Sequence, residues 1–189
     1  MVVAIKKDDK ISVGMTVSDS LIDMTDKDLS LVENIPFWKV KGVKNCYVFA
    51  EDLTFATDLL RFNDYIFKNI TDGNSIIANV VPKMKELLSK YSQIIDGKEW
   101  GSQLLIIKDN KMFTIGHYFT VSEVDEFVGL GYEKYLIGGL EESRDESGEE
   151  SILFAVRILN RMRNRNFFPL VLFDIFIPIS LISSLLLYL

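Results

Sequence analysis

The sequence predicts a mixed α+β domain. Three observations lead there. Apolar-rich runs of strand length stand near both ends of the chain, while two stretches between Phe55 and Ile95 carry helical spacings of three and four. The order is strands, two helices, strands, one helix and a last apolar run, which argues for helices packed on sheets. The chain has 189 residues, 48% of them hydrophobic and 12% aromatic, enough for one domain with a sizeable core.

Val2 to Lys6 reads as a first strand, Asp8 and Asp9 as a turn, and Lys10 to Thr16 as the returning strand. Residues 19 to 34 are polar and rich in Asp, which predicts a surface loop. Phe37-Trp38-Lys39-Val40, then Gly42, then Asn45 to Ala50 predicts a second strand pair. Phe55, Leu59, Phe62, Ile66 and Ile70 fall on one helix face. Ile77, Val81, Met84, Leu88, Tyr91 and Ile95 repeat that spacing, with Pro82 marking a helix start or a kink.

Strands then return. Leu104 to Ile107 and Met112 to Ile115 flank Asp109-Asn110, a hairpin turn, and Phe127 to Gly131 makes a short strand. Ser147 with Glu150 three residues on forms a capping box. The stripe Ile152, Ala155, Val156, Leu159 and Met162 follows it, with acidic residues before and arginines after, as the helix dipole favours.

Composition excludes several roles. The net charge of −6, with basic residues scattered apart from Arg157, Arg161, Arg163 and Arg165, argues against nucleic acid. One cysteine, Cys46, rules out an internal disulfide and fits a reducing compartment. With one histidine, His117, and no ligand-like carboxylate spacing, no metal or cofactor is expected. The residues after Met1 lack a signal-peptide layout, so the expected location is cytoplasmic. Cys46 between strand-like residues reads as a buried thiol; the other reading is a Cys46–His117 dyad. The acidic run Glu141, Glu142, Asp145, Glu146, Glu149 and Glu150 reads as a solvated loop feeding a helix start. Gly129, Gly131, Gly138 and Gly139 read as turns, since a phosphate loop would need Lys and Ser/Thr at set offsets.

Several segments together resemble proteasome β-type subunits of the N-terminal-nucleophile hydrolase family. These are Val3-Ala4-Ile5-Lys6-Lys7-Asp8-Asp9-Lys10-Ile11, Phe37-Trp38-Lys39-Val40, Ala50-Glu51-Asp52, Gly129-Leu130-Gly131 with Gly138-Gly139-Leu140, and Glu149-Glu150-Ser151-Ile152. The resemblance implies a four-layer αββα sandwich over residues 1–176, two antiparallel sheets flanked by helices, and an apolar tail over 177–189. It implies threonine-peptidase chemistry, in which an amino-terminal hydroxyl attacks and its own α-amine handles the proton. It also implies a homo- or hetero-oligomer of proteasome-like subunits.

The residues at the family's reactive positions differ. The nucleophile position falls at Met1, with Val2 next. The second-strand aspartate falls at Thr16; Asp19, three residues on, would face the other side of a strand. The lysine falls at Pro36, the oxyanion glycine at Val48 or Phe49, and the serine of the glycine-rich stretch at Leu130. The expectation is a subunit without its own catalysis. The alternatives are an active amide hydrolase using an unrecognised nucleophile or Cys46, and a membrane-anchored protein.

That last alternative rests on Phe167 to Leu189, whose only charge is Asp174 and which follows four arginines. The competing reading divides the run: Phe168 to Ile175 as a final strand, a break at Pro178, and Ile179 to Leu189 too short to span a bilayer as a helix.

Overall fold

The computed structural model describes residues 2–7, 10–16, 37–131, 147, 148, 150–154, 170–176 and 182–187. The chain divides into two compact units, residues 1–35 with 125–189 and residues 36–124.

The first unit is built on a five-stranded antiparallel sheet in the order β10-β1-β2-β11-β12. Its hairpin is β1 (Val2–Lys7) and β2 (Lys10–Thr16), where the sequence predicts two strands; the predicted turn residues Asp8 and Asp9 lie outside the described residues. β10 (Phe127–Leu130) flanks β1, and β11 (Leu170–Phe176) flanks β2. Val2, Val3, Ala4 and Ile5 are all buried, so β1 is covered on both faces. A last helix, α4 (residues 148 and 150–154), begins with the predicted capping box. The Glu150 N–H donates to Ser147 Oγ at 3.3 Å and the Ser147 N–H to Glu150 Oε2 at 3.2 Å. The Ser147 hydroxyl, donating to Glu150 Oε2 at 2.8 Å, and then the Ser147 N–H hold the Glu150 carboxyl below its ordinary range. Ala155, Val156, Leu159 and Met162 lie outside the described residues.

β12 (Ile182–Leu187) pairs antiparallel with β11, so part of the stretch expected as an apolar tail over 177–189 is a sheet strand. Pro178, expected to break the run, lies outside the described residues. Among the described residues no helix is long and apolar enough to cross a membrane.

The second unit carries a five-stranded antiparallel sheet, β3-β4-β7-β8-β9. β3 (Phe37–Lys39), β4 (Cys46–Ala50), β7 (Leu104–Lys108) and β8 (Lys111–Ile115) fall where the pattern predicts them. The β7–β8 turn has φ 46° at Asp109 and 66° at Asn110, the paired left-handed residues of a two-residue hairpin. β9 (Val121–Val124) and the small pair β5 (Ile94–Ile95) and β6 (Glu99–Trp100) escape sequence reading, being two to four residues long. One face of this sheet, with Cys46, Val48, Ala50, Leu104, Ile106, Phe113 and Ile115, joins Leu60, Phe67, Met84, Leu88 and Trp100 in one core. The opposite face, with Tyr47, Phe49, Leu105, Ile107 and Met112, is buried too.

The helices correct the predicted stripes. α1 (Phe55–Phe62) buries Ala56, Thr57 and Leu60, while Phe55 and Phe62 face water. Its start is capped by Thr54 and Thr57 reciprocally, which satisfies two backbone N–H groups of the first turn. A 3₁₀ turn (Asp64–Phe67) then buries Ile66 and Phe67. The next helix runs as α2 (Gly73–Ser75), a π turn (Ile76–Val80) and α3 (Val81–Lys90). Its core line is Ile76, Val80, Met84 and Leu88, whereas Ile77, Tyr91 and Ile95 are exposed. Pro82 explains the wide turn. Its ring would clash with the Ala78 carbonyl in an ordinary helix, and here the Val81 N–H reaches back five residues to Ile76.

Candidate active site

The family's reactive positions distribute over both units. In the first, Val2 pairs with Met15 on one side and with Leu130 on the other. Thr16 ends β2 one residue past Met15 and pairs with Leu170. The sheet register thus brings Val2, Thr16 and Leu130 to one end of one sheet. Val2, Met15 and Leu130 are fully buried there, so the described side chains at this end are hydrocarbon. Met1, Asp19 and Pro36 lie outside the described residues.

In the second unit Phe49 sits in β4, between Phe37 of β3 and Leu105 of β7. Its ring packs on Phe37 with centroids 4.7 Å apart and is fully buried. The position is a packed aromatic within a strand ladder. Val48 is also buried, on the opposite face and in the core with the helices.

Cys46 and His117 are not brought together. Cys46 opens β4 opposite Lys108, whereas His117 follows β8, whose last residue Ile115 lies opposite Leu104 and so beside Ala50. Four strand residues separate the two ends, about 13 Å at the usual rise. Burial pushes the Cys46 thiol up to about 12, with only partial relief from the Lys108 charge. Burial raises the Tyr47 hydroxyl as well, and a neighbouring thiolate would add to that. Because thiolate is the reactive form, the native protein at about pH 8 is expected to resist iodoacetamide. The guanidinium-unfolded chain should take one carbamidomethyl group, by mass spectrometry. Rapid labelling of the native protein at Cys46 would reject the buried-thiol reading.

What the second unit does assemble at the far end of β4 is a polar cluster with no sequence signal, since its members are ~50–65 residues apart in the chain. Ser102 donates to Asp52 Oδ1 at 2.8 Å. The Glu51 N–H donates to the Gln103 carbonyl at 2.9 Å. His117 Nε2 is 3.8 Å from Glu51 Oε2, and its Nδ1 is 3.3 Å from the Trp100 carbonyl. The Trp100 N–H returns a bond to the His117 carbonyl at 3.0 Å. Every contact joins strand ends, so the cluster ties β4, β6, β7 and β8 together. Among the described residues, no three His, Cys, Asp or Glu side chains are placed to hold a metal ion.

Two five-stranded antiparallel sheets, one in each unit, with helices between and after their strands make a mixed α+β fold similar to that of solved proteasome-like proteins. Solved structures with this fold include Thiobacillus denitrificans BPH, which matches with a TM-score of 0.66 and 16% identity over 92% of this chain and 96% of that one. The same protein in complex with epoxomicin matches equally, over 97% of its length. HslV from Trypanosoma brucei matches with a TM-score of 0.59 and 12% identity over 92% of this chain and 97% of that one. At such identities the likeness establishes the fold. No family model and no curated protein matches the sequence.

Proposed function

We propose that this chain is a proteasome-like subunit without its own peptidase chemistry, a structural or regulatory member of a cytoplasmic oligomer engaged in protein breakdown. The observation that supports this most is the start of β1. The residues entering that strand are Met1 and Val2, and neither carries a hydroxyl or thiol. Whatever precedes them in the mature protein, the strand that presents the family's nucleophile begins with hydrocarbon, and Val2 is buried between Met15 and Leu130. The remaining positions agree. Pro36 has no amine, Thr16 has no carboxylate to orient one, and Val48 or Phe49 stands where the resembled family keeps the glycine whose N–H helps hold the oxyanion.

The test uses the purified protein, epoxomicin and a panel of fluorogenic peptides. The expected result is an unchanged intact mass after incubation and no turnover above buffer. An epoxomicin adduct at the start of β1, or turnover that epoxomicin abolishes, would overturn the reading. The oligomer is tested separately by size exclusion with light scattering. The expected mass is a multiple of 21.6 kDa, and a monomer with no co-purifying homologue would refute that half.

A further inference from the structure

We draw no further inference here: the strongest candidate, the exposed aromatic patch that Phe55 and Phe62 of α1 form with Tyr65 of the following turn, carries none because nothing in the structure shows what covers it.

Discussion

Trp100→Ala is expected to lower the unfolding free energy by about 4 kcal/mol. Trp100 is fully buried in the second unit's core. Its indole stacks on Phe119 with centroids 6.1 Å apart, and its Nε1–H donates to the Gly116 carbonyl at 3.0 Å. Its backbone exchanges bonds with His117. Truncation therefore opens a large cavity and also leaves a carbonyl without its donor, about 1 kcal/mol of the total. Trp100→Phe keeps the packing and loses the indole N–H, so it should cost less, about 2 kcal/mol. Urea unfolding separates the cases: the midpoint should fall in the order wild type, Phe, Ala with an unchanged slope. A loss under ~1 kcal/mol for the alanine variant would mean that this corner of the core is not closed as described.

The second large effect concerns Gly148. A Cβ built there would lie 2.7 Å from Ser12 Oγ, 3.1 Å from Ser12 Cβ and 3.2 Å from Ile5 Cγ2. Two of these atoms are anchored close to strand backbone in the β1–β2 hairpin, which cannot retreat without disturbing its ladder. Alanine has the better helix propensity, worth up to ~1 kcal/mol in a helix interior and less at a first turn. Overpacking costs ~1–3 kcal/mol and wins. Gly148→Ala should destabilise by about 1–2 kcal/mol and Gly148→Val by about 3 kcal/mol. Equal or raised melting temperature for the alanine variant would show that α4 stands off the hairpin.

Legibility followed range. Turns and caps were readable because their chemistry is contained in two to four neighbours: the Asp109-Asn110 turn and the Ser147–Glu150 box. The longer strands were readable because both faces of each sheet are apolar, leaving four- and five-residue runs such as Leu104 to Ile107. The two-residue strands β5 and β6 carry too few residues for a period to register. The helix faces failed for a different reason. α1 has apolar residues over a wide arc, Phe55, Ala56, Leu59, Leu60 and Phe62, and spacing alone cannot say which side meets the sheet. The largest side chains won the sequence reading; the structure buries Ala56, Thr57 and Leu60 instead. The candidate site divides in the same way. The identities at Met1, Thr16, Pro36, Phe49 and Leu130 are sequence facts, but only register shows that Val2 and Leu130 are neighbours.

By itself, the sequence determined the α+β class, the hairpins and the capped start of the last described helix. These follow from side-chain chemistry and from periods of a few residues. Only the tertiary structure decided that β11 lies beside β2, that β12 extends the sheet, that Cys46 and His117 stand at opposite strand ends, and that Phe55 and Phe62 face water. Each of those depends on pairing between residues tens or more than a hundred positions apart. Such pairing is chosen by the total burial and backbone bonding of the whole chain, and no local spacing encodes it.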